Sequence, residues 1–267
     1  MDIGIVGIGA IGAKVAQELD NDKVPGARLT ALTSRDQSKV RSFAATLSSP
    51  PQVVGLSELP SLCELIIEAS GANTLGAVAE AGLNAGVSVM VLSCGVLLGR
   101  PDLISLAERK GAHIYVPSGA IIGLDGLKAA SMGQVDSVVM TTRKPPQGLE
   151  GAPGVTTLGI DVKTITEPTI LYEGPVVEAV KLFPANVNVA AAVSLAGIGP
   201  LRTIIKIVAD PGVTRNTHVV VAEGEFGRME FSIENIPTEA NPRTGRLTAL
   251  SVLACLRQIL SPLQIGI

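Results

Sequence analysis

The stretch Asp2-Ile3-Gly4-Ile5-Val6-Gly7-Ile8-Gly9-Ala10-Ile11-Gly12 decides the fold of this chain. Its first five residues form a short apolar run that is typical of a buried strand. Residues 13–19, which follow the glycines, have the apolar spacing of a helix. The order of a strand, a G-x-G-x-x-G turn and a helix predicts a dinucleotide-binding βα unit. An ordinary glycine-rich turn is the alternative, but it would not need a strand before it and a helix after it.

Each part of the turn has a physical role in such a unit. Gly7 permits the tight change of direction, Gly9 lets the backbone approach a pyrophosphate, and Gly12 allows close packing of the helix on the strand. Ala10 and Ile11 lead into the helix, whose N-terminus presents free N–H groups to phosphate charge. The sequence therefore predicts that these five residues bind a dinucleotide.

Strand-like and helix-like segments alternate along the first 120 residues. The predicted strands are 2–6, 28–33, 53–54, 65–68, 87–92 and 113–116, and the predicted helices are 13–19, 37–47, 74–85 and 102–110. Such alternation is typical of a parallel, doubly wound sheet. We therefore expect an N-terminal Rossmann-type domain at residues 1–120.

The rhythm changes after residue 120. Predicted strands at 135–143, 203–209, 217–223 and 227–234 follow one another with one Ala-rich helical segment, 185–196, between them. This pattern favours a second α+β domain with a mainly antiparallel sheet at residues 121–240, which would carry catalysis, substrate binding and dimerisation. A helix at 246–260, with Asn241-Pro242 as its start signal, is expected to place residues 241–267 back on the first domain.

Composition excludes several classes of function. The chain is 46% hydrophobic and 17% charged, with a net charge of −3 and 2% aromatic residues, so neither disorder nor nucleic-acid binding is expected. Its mean hydropathy is +0.43, but the apolar runs are too short or too polar to span a membrane, and the N-terminus lacks the basic region of a signal peptide. The three cysteines have no metal-type spacing, so we expect a cytoplasmic protein without a metal site or a disulfide framework.

The end of the second strand is where a dinucleotide-binding domain distinguishes NAD from NADP. An acidic residue there would bind the ribose 2′-hydroxyl and repel a 2′-phosphate. This chain instead has Ser34 and Arg35, which could bind a 2′-phosphate, followed by Asp36, which could still serve NAD. Arg35 could equally be a solvated loop residue, so the sequence predicts NAD or NADP with a preference for NADP.

Few residues can move protons in this chain. His218 begins a predicted strand in the second domain beside polar neighbours, and an imidazole suits acid–base work, although a structural histidine at a strand end is equally consistent. His113 is expected to be structural or exposed. The turn at 117–123 and the pair Asn186 and Asn188 could bind a ligand, or could serve as a turn and a helix cap.

The chain as a whole resembles the L-aspartate dehydrogenase family. The segments that carry the resemblance are Gly-Ile-Gly-Ala-Ile-Gly (7–12), Ile-Ile-Glu-Ala-Ser-Gly (66–71), Val-Leu-Ser-Cys-Gly (91–95), Pro-Ser-Gly-Ala-Ile-Ile-Gly-Leu-Asp (117–125), Thr-Arg-Lys-Pro-Pro (142–146), Phe-Pro-Ala-Asn-Val-Asn-Val-Ala-Ala (183–191), Ala-Asp-Pro (209–211), Asn-Thr-His (216–218) and Ala-Asn-Pro-Arg-Thr (240–244). They occur in the family's order from one end of the chain to the other. One departure is Cys94, which stands where the family has an apolar residue; we interpret it as a small buried hydrophobic residue.

The resemblance implies a reaction and its residues. His218 would be the catalytic acid or base, and Ala120 and Asn186 would contact the nicotinamide cofactor. The family oxidises L-aspartate to iminoaspartate, which hydrolyses to oxaloacetate and ammonia or enters pyridine nucleotide biosynthesis. We expect Gly119, Asn241 and Thr244 to bind the substrate carboxylates, and by analogy we expect the second domain to form a homodimer.

Three other functions are consistent with parts of the pattern. A homoserine dehydrogenase-like or dihydrodipicolinate reductase-like oxidoreductase would share the layout of a Rossmann domain followed by a β-rich domain. In a non-catalytic NAD(P)-binding sensor, the second domain would serve assembly or ligand sensing. An aldehyde dehydrogenase that uses Cys94 as a nucleophile is the alternative that the sequence favours least.

Overall fold

The computed structural model describes residues 1–184, 187–238 and 241–266, and describes residues 237 and 241–244 by their backbone alone. Two compact units make up the chain. The first comprises Met1–Gly119 and Thr248–Ile265, and the second comprises Ala120–Leu247 with Gly266.

The strands and helices of both units are numbered in chain order. The strands are β1 (Asp2–Val6), β2 (Arg28–Thr33), β3 (Gln52–Val53), β4 (Leu65–Glu68), β5 (Ser88–Val91), β6 (Ile114–Tyr115), β7 (Val135–Lys144), β8 (Thr169–Pro175), β9 (Thr203–Ala209), β10 (Asn216–Gly224), β11 (Gly227–Asn235), β12 (Pro237–Thr238) and β13 (Asn241–Gly245). The α-helices are α1 (Ala10–Asp20), α2 (Gln37–Ala44), α3 (Ala72–Asn84), α4 (Pro101–Lys110), α5 (Leu124–Ala130), α6 (Pro153–Thr157), α7 (Val176–Leu182), α8 (Asn188–Ala196) and α9 (Arg246–Leu260). Short 3₁₀ helices lie at Leu59–Leu62, Cys94–Gly99, Pro146–Leu149 and Val162–Thr164. Among the helices of the described residues, none combines the length and the apolar character needed to cross a membrane.

The first unit is built on a parallel sheet of six strands in the order β3-β2-β1-β4-β5-β6. This is the Rossmann order, in which the direction of strand addition reverses between β1 and β4. Its core joins fully buried side chains of β1 and β4 to the apolar face of α9, including Ile5, Ile67, Val252 and Leu256. The Rossmann-type fold predicted from the glycine turn is therefore confirmed.

The second unit contains a five-stranded sheet in the order β11-β10-β7-β9-β8. Three of its four neighbouring pairs are antiparallel and the β7–β9 pair is parallel, so the sheet is mixed but mainly antiparallel, as predicted. Side chains alternate between the two faces of a strand. On one face Val138, Met140 and Val220 are buried, whereas Val219 and Val221 on the other face are half-buried.

The last helix has the bounds that the sequence predicted, Arg246–Leu260, but its predicted start signal is wrong. Residues 241–245 form β13, which pairs antiparallel with β12 and precedes α9. Asn241-Pro242 is therefore not the helix start. The fixed φ of proline suits the first turn of a helix and also an edge strand, so the sequence pair did not distinguish the two. The strand β8 and the helix α7 lie in a region for which the sequence predicted no element.

Candidate active site

The glycine turn joins β1 to α1 at the edge of the sheet where the strand order reverses. Gly7 has a φ of +95°, a left-handed backbone that favours glycine, and a Cβ there would lie 2.6 Å from the Ala69 carbonyl oxygen. A Cβ at Gly12 would lie 1.9 Å from the Gly7 carbonyl oxygen. A Cβ at Gly9 would have no atom within 4 Å. Gly7 and Gly12 thus allow close packing, whereas Gly9 borders open space.

This geometry fits the pyrophosphate of a dinucleotide. Helix α1 starts after Gly9 with no side chain capping it and no acidic residue in its first turn. Its first N–H groups, at Ala10 and Ile11, therefore have no partner within the helix and can bind an anion. A cleft of about 560 Å³ lies beside the turn. Its walls include Gly7, Gly9, Ser34, Arg35, Lys39, Ala69, Ser70 and Thr74.

Two cations line the end of this cleft at the carboxyl end of β2. Arg35 is exposed, and so is Lys39, which the sequence analysis did not identify. Among the residues whose side chains the structure describes, no carboxylate forms a salt bridge with either cation. Asp36 is the N-cap of α2, where its carboxylate accepts the N–H of Lys39 at 2.9 Å.

A buried carboxylate ends the neighbouring strand. Glu68, the last residue of β4, is completely buried. Its Oε1 accepts the N–H groups of Ser70 and Gly71, both at 2.8 Å, and its Oε2 accepts the N–H of Ser93 at 3.1 Å. The Ser70 hydroxyl also donates to Oε1 at 3.0 Å. Because Ala69 and Ser70 line the cleft, Glu68 fixes part of the cleft wall and ties it to the loop after β5.

His218 lies on β10 in the second unit and is 3% exposed. It stands opposite Thr142 in the β7–β10 ladder, and its Nδ1 lies 3.1 Å from the Thr142 hydroxyl. Burial, and secondarily the positive charge of Lys144, lower the pKa of His218 from 6.5 to about 3. The imidazole is therefore neutral at physiological pH, and one of its ring nitrogens carries a lone pair.

The turn after β6 contains two of the predicted site residues. Gly119 has a φ of +66°, and its N–H donates to the Ser251 hydroxyl at 3.0 Å, so that donor is used within the protein. In the second unit, the Ala120 carbonyl accepts the side-chain amide of Asn235 at 2.8 Å. Asn235 is buried at the end of β11 and holds this part of the Ala120 backbone in place.

The structure describes some of the remaining predicted residues. Asn186 lies outside the described residues, and the side chains of Asn241 and Thr244 are likewise not described. Asn188 is the first residue of α8. His113 is exposed, and Cys94 is 3% exposed, as expected of a small buried residue.

The structure adds residues that the sequence analysis did not identify. Glu68, Thr142, Lys144 and Asn235 are buried polar or charged side chains near predicted site residues. Three of them lie within segments that carried the family resemblance, but the partners of Thr142 and Asn235 are distant in the sequence. The hydrogen bonds of Thr142 to His218 and of Asn235 to Ala120 span 76 and 115 residues.

The Rossmann strand order and the open glycine turn define the first unit as a nicotinamide-dinucleotide-binding domain, and NAD or NADP is its cofactor. The family model "Homoserine dehydrogenase, NAD binding domain" matches residues 7–117, and "Aspartate dehydrogenase, C-terminal" matches residues 125–259. The chain belongs to the L-aspartate dehydrogenase family.

Full-length relatives agree with this family. The L-aspartate dehydrogenase of Methanocella arvoryzae is 47% identical over 267 residues, which cover 99% of this chain and 98% of that protein. L-aspartate dehydrogenase 3 of Bordetella bronchiseptica is 43% identical over 266 residues, which cover 100% and 97%. The crystal structure of aspartate dehydrogenase from Thermotoga maritima matches with a TM-score of 0.75 and 28% identity, covering 100% of this chain and 99% of that one.

Proposed function

We propose that this protein is an NAD(P)-dependent L-aspartate dehydrogenase that oxidises L-aspartate to iminoaspartate. Membership of the family and the names of the full-length relatives support this activity. The observation that carries the proposal is His218, a buried neutral imidazole whose Nδ1 is within hydrogen-bond distance of a buried hydroxyl. His218 is also the residue that the family resemblance implies as catalytic.

The reaction removes a hydride from Cα of L-aspartate and a proton from its amino group. The nicotinamide ring, when bound, supplies the acceptor for the hydride. In our proposal His218 takes the proton from the substrate ammonium, so that the nitrogen lone pair can form the C=N bond. For this role Nδ1–H donates to the Thr142 hydroxyl and Nε2 keeps the lone pair that accepts the proton.

The test is a spectrophotometric assay of NAD(P) reduction by L-aspartate, run with each cofactor and with L-homoserine as a second substrate. We expect reduction with aspartate and none with homoserine. The variant H218A should fold and bind NAD(P)H but lose most turnover, since general acid–base catalysis contributes about 10²–10⁴-fold in rate. Aspartate oxidation at a near-wild-type rate by H218A would exclude His218 from the mechanism.

We also propose that the enzyme uses both cofactors and prefers NADP. Arg35 and Lys39 line the cleft at the end of β2 and support this preference, because neither forms a salt bridge with a described carboxylate and each can bind a 2′-phosphate. The position of Asp36 as a helix N-cap also supports it, since that carboxylate is bound to a backbone N–H.

Replacing Arg35 by alanine tests the preference. We expect R35A to bind NADPH more weakly, by about tenfold or more for the loss of a charged hydrogen bond, and to bind NADH unchanged. Equal affinities of R35A and the wild type for NADPH would refute the preference. Arg41, a basic residue in the last turn of α2, is outside the cleft and serves as the control position.

The proposal also covers the fate of the product, iminoaspartate. Iminoaspartate is either hydrolysed to oxaloacetate and ammonia or used for pyridine nucleotide biosynthesis.

A homodimer is supported by the half-buried apolar face of the second unit's sheet, where Val139, Val219 and Val221 lie side by side on β7 and β10. Gly119, Asn241 and Thr244 stay predictions as substrate-binding residues.

A further inference from the structure

The position of His218 in the sheet gives its imidazole one hydroxyl and one apolar side chain as direct neighbours. His218 is 3% exposed on β10 and stands opposite Thr142 of β7 and Ile233 of β11. Residues directly opposite each other on neighbouring strands point to the same face of the sheet. Thr142 in turn stands opposite the buried Ile207 of β9. The hydroxyl of Thr142 is therefore enclosed with the ring on this face.

Packing alone does not fix the orientation of a histidine ring. The torsion that turns the ring, χ2, has a broad and roughly two-fold preference, so a half-turn exchanges the positions of Nδ1 and Cδ2. An apolar neighbour such as Ile233 does not distinguish these two orientations, because it forms a hydrogen bond in neither. A hydrogen bond does distinguish them, and here Nδ1 lies 3.1 Å from the Thr142 hydroxyl oxygen.

Threonine is suited to hold the ring because its own side chain is held. Two heavy atoms branch from the Cβ of threonine, so its χ1 torsion is stiff. Thr142 is also 1% exposed within the long strand β7, whose backbone is bonded on both sides. Its hydroxyl is therefore a fixed partner for Nδ1.

The direction of this hydrogen bond decides which ring nitrogen can act as a base. If Nδ1 carries the ring proton and donates to the hydroxyl of Thr142, the lone pair of the neutral imidazole is on Nε2. If the hydroxyl donates to Nδ1 instead, the proton is on Nε2, which then has no lone pair to offer. The proposed reaction requires the first arrangement.

The charged residues after Thr142 do not compete for this bond. Lys144 lies two residues further along β7, on the same face, and acts on His218 through its positive charge. An ammonium group has only donors, so it does not accept the Nδ1 proton. Arg143 points to the opposite face and lies 3.3 Å from Asp210. Among the side chains that the structure describes, Thr142 is thus the hydrogen-bond partner of Nδ1.

We propose that Thr142 is a positioning residue whose hydroxyl fixes both the orientation and the tautomer of the His218 imidazole, so that Nε2 accepts the proton. This inference rests on the proposed aspartate dehydrogenase activity. Thr142 acts through His218 and has no need to touch the substrate. A general base works only when its lone pair faces the proton, and a histidine in the wrong tautomer loses most of its catalytic effect.

The variant T142V tests the inference, because valine keeps the branched shape of threonine and removes the hydroxyl. We expect kcat for aspartate oxidation to fall by about tenfold to a hundredfold, since nothing then holds the productive orientation and tautomer. The affinity for NAD(P)H should stay unchanged, because Thr142 does not line the cleft beside the glycine turn. T142S restores the hydroxyl and should recover most of kcat.

Nitrogen NMR measures the tautomer directly. The chain has two histidines, so selective ¹⁵N labelling of histidine gives two sets of imidazole signals, and H113Q identifies those of His113. At neutral pH we expect His218 of the wild type to carry its proton on Nδ1 and to have an unprotonated Nε2. In T142V the fraction protonated on Nε2 should rise, and in T142S it should return towards that of the wild type.

T141V is the matched control. Thr141 precedes Thr142 on β7 and stands opposite Val219, so its half-buried side chain lies on the other face of the sheet. The same exchange there removes a hydroxyl from the same strand without touching the ring of His218. T141V should therefore keep the wild-type kcat and the wild-type nitrogen spectrum.

The outcomes separate this role from a structural one and from the proposed function. A wild-type ring protonated on Nε2 overturns the role of Thr142, and so does a T142V variant that keeps either the wild-type tautomer or the wild-type kcat. A threonine that serves only packing would change the thermal unfolding temperature in T142V and neither of these. If the wild type does not oxidise aspartate, the proposed function fails, and the nitrogen spectra alone decide whether Thr142 orients the ring. Should T142V not fold, T142A takes its place.

Discussion

At the scale of single residues, the burial of His218 has a consequence for stability as well as for chemistry. In the unfolded chain its pKa is near 6.5, and in the folded protein it is about 3. Between these pH values the unfolded chain binds a proton that the native protein does not, so the free energy of unfolding falls as the pH falls from about 6.5 towards about 3. Above pH 6.5 the residue contributes no pH dependence.

Urea unfolding of the wild type and of H218Q at several pH values in this range measures the effect. Glutamine does not titrate, so H218Q should lose stability less steeply with acidification than the wild type. The carboxylates of both proteins titrate alike, and the difference between the two slopes therefore isolates the imidazole. Parallel slopes would mean that His218 is accessible to protons in the native state.

The buried carboxylate of Glu68 leads to a second prediction at this scale. It receives three backbone N–H groups from two loops, and a glutamine side chain would place an amide donor against some of these donors. An unsatisfied buried donor costs about 1–3 kcal/mol, so E68Q should lower the free energy of unfolding by that amount. Because Ala69 and Ser70 line the cleft, E68Q should also bind NAD(P)H more weakly.

Glu64 supplies the matched control for this variant. It lies just before β4, is exposed, and also accepts a backbone N–H, that of Asp2, at 2.7 Å. Thermal unfolding and NADPH fluorescence titration of E64Q should stay near the wild-type values. Equal behaviour of E68Q and E64Q would show that Glu68 does not order the cleft wall.

At the scale of elements, two glycines in the turn between β1 and α1 have different roles. Gly12 allows the helix to pack on the strand, and Gly9 leaves space for a ligand. A Cβ at Gly12 would collide with the Gly7 carbonyl at 1.9 Å, whereas a Cβ at Gly9 would meet no atom within 4 Å. G12A must therefore push α1 away from β1 and should lower the thermal unfolding temperature or prevent folding. G9A should keep the wild-type unfolding temperature and lose affinity for NAD(P)H, because the added methyl group enters the space beside the helix N-terminus.

Calorimetry of the two variants, with and without NAD(P)H, distinguishes these effects. Each variant is the control for the other, since both add one methyl group to the same turn. A large loss of stability in G9A would contradict the open space at that position. Unchanged dinucleotide affinity in G9A would mean that the pyrophosphate does not approach Gly9.

The elements that the sequence predicted well are those with a strong local signal. β1, α1 and the alternation of the first unit follow from apolar periodicity and the glycine spacing, and the structure places them within a few residues. The prediction that Asn241-Pro242 starts the last helix was wrong, because the conformation of β13 depends on pairing with β12 rather than on these two residues. β8 was missed because its apolar run, 170–172, is short and it ends in Gly174-Pro175, which are residues typical of a turn.

In the candidate site, too, residues with a local sequence signal could be predicted, and contacts that depend on distant strands could not. The glycine turn could be predicted because its residues are contiguous, and His218 because it is one of two histidines in the chain. The environment of His218 could not be predicted, since Thr142 and Lys144 reach it only through the register of β7 on β10. Register is a property of the folded sheet, and a shift of one residue would move both side chains to the other face.

At the scale of the whole molecule, the chain returns to the unit in which it began. It leaves the first unit after Gly119 and re-enters it at Thr248, so α9 completes a core that the first 119 residues start. Val252 and Leu256 of α9 are fully buried in that core. The first unit is therefore a discontinuous folding unit, and its stability depends on residues at both ends of the chain.

The mixed sheet of the second unit is the surface on which we expect two copies of the chain to form a dimer. One of its faces is buried by its own unit, and the other presents Val139, Val219 and Val221 half-buried. Apolar side chains next to each other on an uncovered sheet face are typical of an interface between copies, which needs about 800 Å² on each partner. Charged pairs near the edge of this face, such as Arg228 with Glu223 and Arg215 with Glu234, can pair across a two-fold axis.

We therefore expect the protein to be a dimer in light scattering after size-exclusion chromatography, and V219E to be a monomer because a charge would be buried in the interface. The control is M132E: Met132 is 90% exposed in the turn after α5, so this variant should stay dimeric. Circular dichroism must give the same spectrum for both variants, since Val219 points away from the buried face and its replacement leaves Val220 in place. A wild-type monomer at micromolar concentration, or a dimer that survives V219E, would mean that this sheet face does not form the interface.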